Sequence, residues 1–244
     1  PVSHILIAGS HAHTGPLFDD VLRDFYHEQA LAKLGKDPAE VVFYPDFLVE
    51  KLVDVAVEAN ARLAPATLSA GTAIREGLAF NRRFHMRDGR VAFNPGVLNT
   101  NIVKPAGPVD PSVGILFVHD AANDRPLGGL TVFACHLDTV GGTEYSADYP
   151  YFIEQTLRGT LGANFCSAFA LGCSGDLNHI NVATRESLPR FGITERIGKG
   201  LGETVLASLP KLDRVSKPRL AVRSVTLQMP LQEVTPEQVQ AARA

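Results

Sequence analysis

Two short apolar runs, Val113 to His119 and Leu130 to Cys135, are joined by Asp120-Ala-Ala-Asn-Asp-Arg-Pro-Leu-Gly-Gly129. Strand-forming residues on either side of a linker rich in turn formers predict an antiparallel hairpin. This pair constrains the fold more than any other feature. A barrel of repeated strand–helix units has no place for it, because its strands all run parallel. Elsewhere strands alternate with helices: residues 66–74 and Phe165 to Leu171 read as strands, 150–161 and 193–208 as helices. One antiparallel pair within such an alternation predicts an α/β chain. We expect a mixed β-sheet with flanking helices and a site at the C-terminal ends of the strands, where open sheets place ligands.

The remaining pattern is less regular. Phe18, Val21, Leu22, Phe25 and Tyr26 recur at helical spacing and predict a helix over 17–34, ended by Gly35 and Asp37-Pro38. Asp46 reads as the N-cap of a second helix, with Leu48, Leu52, Val55, Ala56 and Ala59 on one face, running to about Leu63 before Pro65. Ile5 to Ala8 reads as a buried strand, residues 219–229 as a final one, and Thr235-Pro236-Glu237 as the start of a helix. Residues 75–112 carry Pro95, Pro105, Pro108 and Pro111 and are expected to be irregular; a loop of that length is usually functional or disordered.

Composition excludes several classes. The 244 residues are 45% hydrophobic and 20% charged with net charge −3, which is enough for one α/β domain with a real core. The basic residues form no stripe, so a nucleic-acid partner is not expected. No run of 18 apolar residues exists, so no transmembrane segment is expected. No signal peptide is legible, but the chain opens on Pro1 and stops at Ala244, just after a helix start, so both ends look cut and the compartment stays open. The three cysteines form no Cys-x-x-Cys and imply no disulfide framework. Cys135 and Cys166 lie in apolar runs and read as small core residues; Cys173, in a Gly-rich loop, is the candidate reactive thiol.

The chemistry gathers where strands end. The run Ile5 to Ala8 breaks at Gly9 and delivers His11 and His13 just before Gly15-Pro16. Side chains two apart at a strand's end point the same way, so both imidazoles can reach one site, and imidazole is the commonest side-chain metal ligand. The strand over 66–74 leads to Asn81-Arg82-Arg83, that over 130–135 to His136-Leu-Asp-Thr139, and that over 165–171 to Gly175-Asp176-Leu-Asn178-His179. Strands lying side by side would bring these groups together.

Taken in order, these segments resemble the neutral/alkaline non-lysosomal ceramidases. Ser10-His11-Ala12-His13-Thr14-Gly15-Pro16 is similar to the family's zinc-site motif, Asn81-Arg82 to its Asn-Arg segment, and Val109-Asp110-Pro111-Ser112-Val113-Gly114 to its entry to the hairpin. Phe133-Ala134-Cys135-His136 is similar to its Phe-Ala-x-His zinc motif, Ser146-Ala147-Asp148 to its Ser-Gly/Ala-Asp, and Gly175-Asp176-Leu177-Asn178 to its Gly-Asp-Val-Ser-Pro-Asn. The resemblance implies a zinc-dependent amidase that hydrolyses N-acylsphingosine or a related lipid amide with zinc-bound water. His11 and His136 would be zinc ligands, while His13 and Arg82 would hold the substrate carbonyl and the developing oxyanion. Asp176 and Asn178 would complete the catalytic set. A secreted or periplasmic setting is the family's option.

Two features depart from the family pattern. The serine of its Gly-Asp-Val-Ser falls on Asn178 and the following proline on His179. The family's remaining zinc ligands, a glutamate and a tyrosine, lie farther toward the C-terminus than this chain reaches, so it would correspond to the N-terminal catalytic part of a longer protein and bind zinc weakly or not at all. Two alternatives stand beside this reading: an amidohydrolase-type metal hydrolase, whose first strand also ends in His-x-His, and a non-catalytic member that binds lipid or a partner. A metallo-β-lactamase site needs Asp-His where Thr14-Gly15 stand. The residues leave oligomeric state open.

Overall fold

A computed structural model describes residues 5–16, 20–40, 42–219, 221, 223–231 and 233–243. In chain order the elements are α1 (Asp20–Leu34), α2 (Tyr44–Ala61), β1 (Ala66–Ile74), β2 (Phe80–Asn81), β3 (Arg83–Met86), β4 (Val91–Phe93), β5 (Ile102–Pro105), β6 (Ser112–Asp120), β7 (Pro126–Phe133), α3 (Tyr149–Leu161), β8 (Cys166–Leu171), β9 (Leu177–Asn178), α4 (Gly192–Ser208), β10 (Asp213–Arg214) and α5 (Pro236–Arg243). Residues Ala8–Ser216 form one compact unit. The other comprises Pro1–Ile7 with Lys217–Ala244, and α5 lies in it.

The main sheet has the order β10-β1-β6-β7-β8. β6 and β7 form the expected antiparallel hairpin, with Gly114 opposite Val132 and Phe117 opposite Gly129. β1 pairs antiparallel with β6 from Ala66 opposite Asp120 to Ile74 opposite Ser112, and β7 pairs parallel with β8. The sheet is therefore mixed and open, which removes the amidohydrolase barrel. It follows from this pairing that β1, β7 and β8 all run the same way. Their exits share one edge, and that edge receives Arg82, His136 and the 174–179 loop.

The core fills the space between this sheet and the α3–α4 pair. Val113, Ile115 and Phe117 alternate along β6, so all three face one side of the sheet. They meet Ile153 and Leu157 of α3 and Ile197, Leu201 and Val205 of α4, each about 1% exposed or less. Each such side chain contributes about 1.5–3 kcal/mol on leaving water. Tyr149, at the start of α3, is fully buried, and its hydroxyl donates to the Cys135 carbonyl at 2.6 Å. Burial pushes both this phenol and the Cys135 thiol well above their ordinary pKa values.

Several expectations need correction. Ile5 to Ala8 is not a strand: Ile5, Leu6 and Ile7 are 55%, 92% and 68% exposed, and no strand among the described residues pairs with them. A strand needs a ladder partner, and hydrophobicity alone does not supply one. The final strand over 219–229 also fails. Val225, Leu227 and Met229 keep the alternating pattern but stand exposed in irregular chain, and residues 220 and 222 lie outside the described set. The edge of β1 is covered instead by Asp213–Arg214. Residues 75–112 are not wholly irregular, since β3, β4 and β5 within them form a small sheet of order β4-β3-β5, anchored by buried Phe84 and Met86. α2 starts two residues before Asp46, with Phe43 at its N-cap and a proline in its first turn. It has no buried residue: Leu48 and Leu52 of its apolar face are half-buried, and Val55, Ala56 and Ala59 are exposed. Phe18 lies outside the described residues, while Phe25 and Tyr26 of α1 are exposed. Cys166 is exposed rather than core, because β8 is the edge strand of the sheet.

Close packing of α3 on α4 rests on glycine. A Cβ at Gly198 would lie 2.4 Å from both Phe152 Cβ and the Tyr149 carbonyl oxygen, whereas one at Gly159 would meet nothing within 4 Å. Gly198→Ala should lower unfolding free energy by about 1–3 kcal/mol through overpacking. Gly159→Ala, in an open part of α3, should raise it by about 0.5–1 kcal/mol. Urea unfolding monitored by circular dichroism checks both signs.

Candidate metal centre

Three imidazoles meet at the exit edge. His11 Nε2 lies 3.0 Å from His136 Nε2. The His13 ring centroid lies 5.1 Å from that of His11 and 5.0 Å from that of His136. One ring nitrogen from each histidine falls within 4.8 Å of those of the other two. The backbone sets this up. The His13 N–H donates to the Leu137 carbonyl at 3.0 Å, which fastens the histidine turn to the exit of β7. The His136 N–H donates to the Leu177 carbonyl at 3.1 Å, which fastens the same exit to β9. His11 and His13 converge through a turn, not as alternate residues of a strand. His11 sits in the left-handed region at φ 61°. That backbone costs about 1–3 kcal/mol for a residue with a Cβ, and such outliers cluster at functional sites.

The donor set suits a transition metal. His136 is 5% exposed, and its Nδ1 lies 3.0 Å from the Ser174 carbonyl. A carbonyl only accepts, so Nδ1 carries the proton and Nε2 is a bare donor atom turned toward His11. A fixed outer hydrogen bond of this kind is what metal-bound histidines use. A neutral imidazole is also what the electrostatics favour at His11. Burial first, then the His136, His13 and Arg82 charges, hold the His11 pKa below its ordinary value, against a smaller opposing pull from Asp138.

Arg82 comes to the same edge. It is no solvated surface charge: its side chain is 11% exposed, its Nε and Nη2 donate to the Gly175 carbonyl at 3.2 and 2.8 Å, and its guanidinium lies over the Phe93 ring. Arg83 is exposed. Asp176 and Asn178 lie on the loop at this edge, and their side chains bond the chain around them. Asp176 Oδ2 accepts from Asn81 Nδ2 at 2.8 Å. Asn178 is fully buried, donating to Asn94 Oδ1 at 3.1 Å and accepting the Ile180 N–H at 3.0 Å. These contacts hold the loop together, and Asn178 has no surface left for a ligand. Asp148, 1% exposed, is a further structural carboxylate. It accepts from Tyr149 N–H at 2.7 Å, from the Thr139 hydroxyl at 2.6 Å and from Thr139 N–H at 3.0 Å, and so fixes the loop after His136.

Sequence reasoning passed over two groups. Asp138 Oδ1 accepts from His179 Nδ1 at 3.0 Å, and its Oδ2 faces Arg82 Nη1 at 3.7 Å. Burial raises the Asp138 pKa, but the His179 hydrogen bond and the charges of His179, His136 and His13 outweigh it and hold the carboxyl below its ordinary value. The signal was its place two residues after His136. The second group is His27 of α1, whose Nδ1 lies 3.0 Å from Asp37 Oδ2 and 2.6 Å from Glu40 Oε2. These three side chains and His13 line one cavity of about 840 Å³, whose apolar wall includes Tyr26, Leu34, Val42 and Tyr145. The groove beside the histidines is thus built by α1, the 37–44 segment and the 142–145 loop.

No protein-family model matches this chain, and no curated protein matches its sequence. Solved structures do. Neutral ceramidase from Pseudomonas aeruginosa superposes with a TM-score of 0.57 at 22% identity over 82% of this chain. A structure described as ceramidase complexed with C2 gives 0.55 at 21% identity over the same share. The chain therefore has an α/β fold shared with the neutral ceramidases. It spans 30% and 29% of those two proteins' lengths.

The depressed His11 pKa has a consequence for stability. A histidine whose folded pKa lies below the ordinary 6.5 binds fewer protons folded than unfolded, so stability rises with pH and is lost as pH falls below about 6.5. His11→Gln should therefore flatten the fall in unfolding free energy between about pH 7.5 and 5.5. Urea melts at the two values read it directly.

Proposed function

We propose that this chain carries the metal-binding half of a ceramidase-like amidase site and acts on lipid amides. The observation that carries this reading is the 3.0 Å approach of His11 Nε2 and His136 Nε2 beside His13, at the strand-exit edge of a fold shared with neutral ceramidases. His11 and His136 hold a zinc ion. Zinc, when bound, supplies Lewis-acid polarisation and acidifies a bound water toward neutral pH. His13, whose ring faces both ligands and lines the cavity, binds the amide carbonyl. Arg82 stabilises negative charge on that oxygen from a guanidinium already fixed by the Gly175 carbonyl and Asp138. The apolar wall of the cavity accepts an acyl chain. The overall reaction adds water across the C–N bond and releases a carboxylic acid and an amine.

The experiment is metal analysis with hydrolysis of a fluorogenic N-acyl lipid amide. Zinc should bind, and His11→Ala and His136→Ala should each abolish it. His13→Ala should keep the zinc while turnover falls about 10²–10³-fold, as for loss of an oxyanion donor; lost zinc would make His13 a third ligand instead. Wild-type chain that takes up no more zinc than His11→Ala, even with the metal in large excess, would refute the reading.

Arg82→Lys should lower turnover about tenfold or more with zinc unchanged, because lysine keeps the charge but loses the planar fork. Arg83→Lys, altering a side chain on the exposed side of β3, should match wild type. Equal kinetics for all three proteins would remove Arg82 from the site.

A further inference from the structure

We propose that Asp138 and His179 form a substrate-positioning pair, in which Asp138 fixes His179 so that His179 Nε2 accepts a hydrogen bond from the N–H of the bound amide. The proposal rests on the amidase reading above. Its first support is position. Leu137 accepts the His13 N–H and Leu177 accepts the His136 N–H. Asp138 follows the first of these anchors directly, and His179 lies two residues past the second. Both are stitched beside the three imidazoles by backbone bonds.

The second support is how the carboxylate is used. One Asp138 oxygen takes the His179 Nδ1 at 3.0 Å, and the other faces Arg82 Nη1 at 3.7 Å. The side chains of Asp138, His179 and Arg82 are 18%, 14% and 11% exposed. These groups are largely covered, unlike surface ion pairs that contribute little. An ionised carboxylate only accepts, so Nδ1 bears the hydrogen, and Nε2 of the neutral ring is an acceptor.

The third support is chemical need. Arg82 and a metal both serve the carbonyl side of an amide. The amide N–H, once out of water, needs an acceptor or costs about 1–3 kcal/mol. Asn178 is no candidate, since its side chain is fully buried and bonded to Asn94 and Ile180. Consecutive residues leaving β9 point to opposite sides, so an inward Asn178 leaves His179 on the other side, at Asp138. The resemblance puts a serine and a proline at these two positions. Here the first builds the loop and the second carries the functional group.

The test uses the full zinc-loaded chain and octanohydroxamate, an amide analogue that keeps the carbonyl and the N–H. Titration calorimetry should show His179→Ala and Asp138→Asn each weakening hydroxamate binding about tenfold, as expected for one hydrogen bond, with zinc content unchanged. His179→Gln, which restores an acceptor oxygen, should recover part of the loss. Nitrogen-15 NMR should read His179 as the Nδ1–H tautomer in the wild type, and its ring signals should move on adding hydroxamate. If a variant fails to fold, that wild-type shift still decides the matter. Unchanged hydroxamate affinity in His179→Ala, or ring signals that do not move although hydroxamate binds, would overturn the pair. Absence of zinc or hydroxamate binding by wild type would overturn the amidase reading itself.

Discussion

Two backbone hydrogen bonds at the exit of β7 hold the site together. One runs from the His13 N–H to the Leu137 carbonyl, the other from the His136 N–H to the Leu177 carbonyl. Each is worth only about 1 kcal/mol net. Their importance is geometric: residues more than a hundred positions apart in the chain become neighbours to within a side-chain length. The exit itself is held from behind by the Tyr149 hydroxyl on the Cys135 carbonyl and from the side by Asp148 on Thr139 and Val140. Tyr149, Cys135, His136, Leu137, Asp148 and Leu177 are all buried, so the polar scaffold under the histidines is rigid where it is most expensive to leave a partner unmade.

The same residue types serve opposite purposes a few ångströms apart. Asp148, Asp176 and Asn178 spend their acceptors and donors on the chain around them. Asp138 spends one oxygen on a histidine and turns the other toward an arginine. Sequence motifs treat these carboxylates alike. Only the direction of each hydrogen bond separates a loop staple from a group that can act on a ligand. The likeness to neutral ceramidase structures, at 22% identity, establishes the architecture; the chemistry must come from the site, because one fold hosts many functions.

Much of the fold was legible in the sequence for a local reason. The hairpin, β1, α3, β8 and α4 each carry their own periodicity and their own turn or cap residues, so short windows contain the information. The errors share a cause as well. Ile5 to Ala8 and Val225 to Met229 have the composition of strands, but a strand is completed by its neighbour, and no neighbour among the described residues pairs with them. The small sheet of β3, β4 and β5 was hidden by prolines that sit at strand ends and in the connecting turns, where their missing N–H costs little.

The sequence by itself determined the α/β alternation, the antiparallel pair at its centre and the placing of His11, His13, His136 and Arg82 just past apolar runs, because local pattern and spacing suffice for these. Tertiary structure decided which groups meet. It set the 3.0 Å gap between His11 and His136, the burial of Asn178, the joining of Asp138 to His179 and Arg82, and the cavity built by α1. Those contacts depend on sheet order and strand direction, which bring distant segments to one edge and which no short window of residues encodes.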